Sequence, residues 1–233
     1  ETELWPNFLR ECSRLGIRVA MVNGRISPRS FGGYVKTRFL WEKVLRGVAE
    51  IGVISEIDAE RIRAMGADPG RVRVLGNAKY DGLASRVSTA LREEIARAIG
   101  AGESDRFLVA GSTHEGEEDV VFDVYRKLLP DHPDLRLIVV PRHIDRGEAV
   151  FSLAKQKGFE DAVRMTEIRA GKEPADERVI IIDVIGELFK VYGLATLVFC
   201  GGSLVPRGGQ NILEAAAWGK VVLYGPSMED FLD

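Results

Sequence analysis

The richest chemistry in this chain lies between Gly201 and Lys220, in GGSLVPRGGQNILEAAAWGK. The stretch follows an apolar run, Ala195 to Cys200, that reads as a buried strand. It leads into Asn211-Ile212-Leu213-Glu214, which reads as a helix start. A strand, a glycine-rich loop and a helix N-terminus together present backbone N–H groups and a positive dipole end to an anion. Gly201, Gly202, Gly208 and Gly209 let a ligand approach the backbone closely. Glu214, one turn in, offers a carboxylate to a sugar diol. The combination predicts a site for a phosphorylated, sugar-bearing ligand.

Other candidates occupy similar settings. Ser112 and Thr113 follow a strand and precede a helix, where they either hold a phosphate or cap the helix. Arg142, in Pro141-Arg142-His143, can grip a phosphate with two hydrogen bonds, or be a surface arginine after a turn. Ile185-Gly186-Glu187 can bring a backbone edge against a base, or be a helix start with an acidic first turn. Glu1 and Glu3 precede Trp5-Pro6-Asn7, and carboxylates beside an aromatic ring suit sugar binding or catalysis. Lys79, in GNAKYD, can neutralise charge in a cleft or be a linker lysine.

The elements that must position these residues alternate. Expected strands are 17–22, 51–54, 71–75, 107–110, 135–140, 179–182, 196–200 and 220–223. Expected helices cover 36–50, 55–66 with Ser55 opening a capping box, 88–99 capped by Ser88, a segment ending near 129, another ending near 158, and 186–192. Such alternation predicts an α/β fold with parallel sheets and helices on both faces. A break near 82–87 divides it into two units, 1–82 and 83–233. Four of the polar loops then fall at strand C-terminal ends, where ligands bind in such folds.

Composition narrows the field. With 45% hydrophobic and 29% charged residues, the chain can build a substantial core. No apolar run approaches the roughly 18 residues of a spanning helix. Cys12 and Cys200 are isolated, which fits a reducing compartment rather than a disulfide framework. The three histidines lack zinc-ligand spacing. Charge is uneven: residues 1–82 carry 14 Lys and Arg against 10 Asp and Glu, and the rest carries 18 against 25. Arg25, Arg29, Lys36, Arg38, Lys43 and Arg46 crowd one segment, which either meets an anionic partner or membrane surface or is a solvated face.

Taken together, the motifs resemble those of the Kdo transferases, which add 3-deoxy-D-manno-octulosonic acid (Kdo) to a lipid A precursor. The residues that carry the resemblance are ETELWPN from Glu1, NGRISPRSFGGY from Asn23, GNAKYD from Gly76, AGSTHEGEE from Ala110, PRH from Pro141, IGEL from Ile185, and the glycine-rich stretch. The resemblance implies a GT-B fold of two Rossmann-like doubly wound parallel-sheet domains, the first present only in part. Residues 1–82 would be the end of the acceptor domain and 83–233 a truncated CMP-sugar-binding domain.

It further implies a metal-independent, inverting transferase with CMP-Kdo as donor and an anionic lipid A precursor as acceptor. No cofactor or nucleic acid is expected. Pro141, Arg142, Ile185, Gly186, Glu187, Asn211, Ile212, Leu213 and Glu214 would contact CMP, with Glu214 on the ribose and Ser112 and Thr113 near the phosphate. Glu1 and Lys79 would stabilise the transition state. The basic first unit would face the acceptor at the cytoplasmic face of the bacterial inner membrane. The family pattern G-G-H-N-P-L-E is altered here, with Gln210 and Ile212 at the His and Pro places. The family's base, a Glu, and its membrane anchor would lie upstream of Glu1 and its last helices beyond Asp233, which predicts a chain inactive by itself. Another GT-B nucleotide-sugar enzyme, or a nucleotide-binding module without catalysis, remains open.

Overall fold

The computed structural model describes residues 4–102, 104–175 and 177–231, without the side chains of Lys79 and Asp230. The chain divides into two compact units at Gly82/Leu83. Glu1 and Glu3 lie outside the described residues.

In the first unit, β1 (Val19–Gly24), β2 (Val48–Val53) and β3 (Val72–Val74) form a parallel sheet in that order. Helices α1 (Pro6–Arg14), α2 (Pro28–Lys36), α3 (Arg38–Leu45) and α4 (Glu56–Ala64) connect or flank the strands, and α5 (Ala78–Ala84) follows β3. Leu9, Leu45, Val48, Ile51, Val53, Ile62 and Met65 are among the residues of its core. Ser55 caps α4 as expected, accepting from the Asp58 N–H at 3.2 Å.

The expected helix over 36–50 is not continuous. The chain breaks at Thr37, between α2 and α3, and turns at Gly47, whose N–H meets the Val44 carbonyl at 3.1 Å. Val48 to Glu50 then belong to β2, because a central strand buries Val48 and Ile51 to 1% exposure each. Local helical spacing loses there to burial between two neighbours. Helix α1 had no counterpart in the sequence reading, and β1 starts two residues later than expected.

The second unit is a six-stranded, all-parallel sheet. Its strands are β4 (Arg106–Thr113), β5 (Leu135–Pro141), β6 (Val163–Arg164), β7 (Val179–Ile181), β8 (Leu197–Cys200) and β9 (Val221–Tyr224), in the order β6-β7-β5-β4-β8-β9. Alternate residues feed two separate cores. Phe107, Val109, Ile138, Val140 and Ile180 pack with α6 (Thr89–Ala98), α10 (Leu188–Leu194) and α11 (Leu213–Ala217). Leu108, Ala110, Leu137, Val139, Val179 and Ile181 pack with α7 (Glu117–Leu128) and α8 (Gly147–Gln156). Strands apolar on both faces are what helices on both sides require.

Three expectations shift here. Ser88 stands at the start of α6, but its side chain makes no capping bond. β6 and α9 (Met165–Arg169) were absent from the reading, because two-residue and five-residue elements are too short to show a period. Helix α7 is preceded by Gly116 at φ +92°, so neither Ser112 nor Thr113 caps it.

Candidate functional site

The order β7-β5-β4-β8 makes neighbours of the four strands whose C-terminal loops carry the candidate residues. Ser112 and Thr113 end β4, Pro141 and Arg142 end β5, Ile185–Glu187 follow β7, and the glycine-rich loop follows β8. The chain runs from β4 outward through β5 to the edge strand β6, fills the gap with β7, then crosses back to β8, so β4/β8 is the topological switch point. Ligands bind at that crevice in open parallel sheets. Hydrogen bonds tie these loops together: Arg142 N–H donates to the Thr113 carbonyl at 2.9 Å, and Gly201 N–H to the Gly111 carbonyl at 2.8 Å.

The glycine-rich loop does not offer its first amides to a ligand. The Glu117 carboxylate has taken them: Oε2 accepts from Gly202 N–H at 2.7 Å, and Oε1 from Ser203 N–H at 3.0 Å and Leu204 N–H at 2.9 Å. Oε2 also accepts from His114 N–H at 2.8 Å. Glu117 is fully buried. The anion cradle read from the sequence is therefore real in shape and filled from within. Glu117 is also the first residue of α7. The glycines serve close packing of the protein on itself. A Cβ on Gly201 would meet the Ser112 carbonyl and lie 2.6 Å from Thr113 Cα.

The other candidates stand as follows. Thr113 is buried and its hydroxyl donates to Glu118 Oε1 at 2.8 Å, so it is not a free phosphate ligand. Glu118 also binds Arg146, at 2.6 Å to Nη1, an interaction that raises the Arg146 pKa. Ser112 adopts φ +53°, an unusual value for a residue with a side chain. Pro141 is buried, while Arg142 is exposed. The Arg142 guanidinium has no partner among the described residues, and the same holds for Arg207. Ile185 is 79% exposed, and Gly186, at φ +92°, has open space where a Cβ would project. Glu187 is buried, and its carboxylate is committed to Arg169 at 2.6 Å and Lys190 at 3.2 Å.

Helix α11 begins at Leu213, two residues later than read. Asn211 Oδ1 accepts from Leu213 N–H at 3.0 Å and shapes the turn, and Ile212 is the residue before the helix. Glu214 is half-buried in the first turn. Burial pushes its carboxyl pKa up, against a downward pull from Arg86.

His114 and His143 were not singled out from the sequence. Their rings meet edge to face with centroids 5.9 Å apart, and His114 Nε2 is 3.5 Å from the Gln210 amide nitrogen. Burial lowers the His114 pKa. Glu117 opposes that, and Arg207, His143 and Arg146 reinforce it. Glu117 was missed too. Its sequence signals are its place in the AGSTHEGEE motif and after Gly116 at a helix start, and neither points to a loop 85 residues away.

In the first unit, Lys79 is the second residue of α5. Asn23, at φ +55°, accepts from Ala78 N–H at 2.9 Å and donates to Asn77 Oδ1 at 3.0 Å, fixing the start of that helix to the end of β1. Separately, α1 and α3 flank a groove of about 1020 Å³ lined by Leu9, Leu40, Trp41 and Val44, with Arg10, Glu11, Arg14, Lys43 and Arg46, of which Arg14 pairs with Glu11 and Arg46 with Glu42.

A family model described as 3-deoxy-D-manno-octulosonic-acid transferase (kdotransferase) matches residues 1–82. A 3-deoxy-D-manno-octulosonic acid transferase of Haemophilus influenzae is 32% identical over 236 residues, covering 99% of this chain and 53% of that protein. The chain is similar to Kdo transferases along its length. A bifunctional glycosyltransferase/methyltransferase of Fusobacterium nucleatum is 35% identical over the whole chain and 36% of its own length. The chain thus spans about half, or less, of these curated relatives. Among solved structures, the C-terminal CMP-Kdo binding domain of WaaA from Acinetobacter baumannii aligns with TM-score 0.55 and 29% identity, over 62% of this chain and 75% of that one. The UDP-GlcNAc 2-epimerase of Methanocaldococcus jannaschii shares the fold at TM-score 0.52 and 16% identity, over 92% of this chain and 56% of that one. The fold is of GT-B type, with parallel-sheet α/β units.

Proposed function

We propose that this chain belongs to the Kdo transferases and acts in an inverting glycosyltransferase that moves Kdo from CMP-Kdo to a lipid A precursor. The observation that carries the reading is the gathering of four candidate loops on neighbouring strands of a unit that resembles a CMP-Kdo binding domain. In this reading Pro141, Arg142, Ile185, Gly186 and Glu187, with Asn211, Ile212, Leu213 and Glu214, surround CMP. Arg142 takes the phosphate, since its guanidinium is not spent inside the protein. Glu214 accepts from the ribose hydroxyls, and the Ser112 backbone lies near the phosphate.

Chemically, an acceptor hydroxyl would displace CMP at the anomeric carbon while a carboxylate takes its proton. Arg142 would offset the charge developing on the leaving phosphate, and by the family resemblance Glu1 and Lys79 would stabilise the transition state. By family resemblance the proton acceptor lies outside these 233 residues, and turnover of labelled donor by this chain alone would count against that. No metal is needed, so donor binding should persist in chelator. The apolar groove of the first unit and the basic residues along it support an anionic lipid acceptor at the cytoplasmic face of the inner membrane.

Calorimetric titration with CMP and UDP tests the reading. CMP should bind at least tenfold tighter. Equal binding, or a preference for UDP, would overturn it in favour of another nucleotide-sugar enzyme of this fold.

A further inference from the structure

Glu117 is a buried carboxylate without an ion-pair partner among the described residues, held by four backbone N–H groups. Both oxygens accept two bonds each, one from the β4 loop and three from the β8 loop. Burying an unpaired charge is costly unless such donors surround it. The arrangement therefore selects one loop geometry strongly. From Gly202 the hold passes on: Gly209 N–H donates to the Gly202 carbonyl at 2.9 Å, closing the loop and delivering Gln210 and Asn211 to the sheet edge. The Gln210 carbonyl then lies 3.5 Å from Cys200 Sγ.

We infer that Glu117 is a positioning residue for nucleotide recognition: an internal anion that organises the glycine-rich loop and thereby sets Asn211–Glu214. It is not itself a nucleotide contact, because it is fully buried. A carboxylate is required, and an amide of the same shape will not serve. In Glu117→Gln, one oxygen becomes an NH₂ group. Whichever way the amide turns, that group faces two N–H donors, either His114 and Gly202 or Ser203 and Leu204.

The test compares the 233-residue chain with its Glu117→Gln, Glu117→Asp and Glu117→Gly variants, and with Val150→Ala. Val150 lies in the core on the α7/α8 face, and its variant serves as a purely destabilised control. Three quantities are measured: melting temperature, CMP affinity, and amide exchange across 201–204 and 210–214. Glu117→Gln should bind CMP at least tenfold more weakly and exchange at least tenfold faster at 210–214. Glu117→Asp should fall between. Sodium formate should restore protection and affinity to Glu117→Gly, by replacing the lost carboxylate. Val150→Ala should leave both within twofold of wild type. The affinity readout rests on the CMP reading, and the exchange readout does not. If wild type fails to bind CMP, the nucleotide reading is lost and exchange at 210–214 alone decides the role of Glu117. Wild-type affinity and exchange in Glu117→Gln, with or without a lower melting temperature, would overturn the inference.

Discussion

Arg142 and Glu214 sit on the same sheet edge and differ in how the fold treats their charge. Arg142 makes no side-chain bond among the described residues, so its removal costs the fold little. Arg142→Ala should keep the wild-type melting temperature and lose roughly 10- to 100-fold in CMP affinity, about what a charge-assisted contact supplies. Thermal melts and calorimetry on the same sample check both halves. Glu214 is different, because burial raises its pKa above the ordinary carboxyl value. Between the unfolded pKa and the raised folded one, the folded protein holds a proton that the unfolded chain has released. This group's contribution to stability is present below the unfolded pKa and fades as pH rises through the folded one. Only the ionised form accepts two diol hydrogen bonds well. The ratio of Glu214→Gln to wild-type dissociation constants should therefore shrink as pH falls through the raised pKa. Taking the ratio cancels titration of the CMP phosphate, and a pH-independent ratio would remove Glu214 from the ribose.

At the scale of elements, the sheet edge is assembled by close backbone packing. Gly201 lies against Ser112 and Thr113 with no space for a methyl group, and both neighbours belong to the backbone and cannot swing away. Gly201→Ala should destabilise the protein by about 3 kcal/mol, at the upper end for overpacking. Denaturant titration reads that loss. The motif spelled out these glycines, but not what they approach. A glycine-rich loop after a strand suggests room for a ligand, and here the room is used by β4. The strands β4, β5 and β7 were legible because they are continuous apolar runs, as burial on both faces requires. β6, α9 and α1 were not, since short or weakly periodic segments take their form from neighbours.

On the scale of the molecule, the second unit carries a six-stranded sheet with a core on each face. All four candidate CMP loops belong to it. Residues 83–233 expressed alone should unfold cooperatively and bind CMP within threefold of the 233-residue chain. Loss of binding in a folded 83–233 protein would place part of the nucleotide site elsewhere.

The sequence by itself determined the α/β alternation, the motif set that resembles the Kdo transferases, and the choice of Arg142 and Glu214 as candidates. These follow from local periodicity and from residue types met in order. Only the tertiary structure decided that β7, β5, β4 and β8 are neighbours, which brings residues from 112 to 214 to one edge. It also decided the fate of the glycine-rich loop. Gly202, Ser203 and Leu204 point their N–H groups at Glu117. That pairing joins residues far apart in the chain, and its cause is physical: a carboxylate buried at a helix start must find donors, and the loop's amides are the ones within reach.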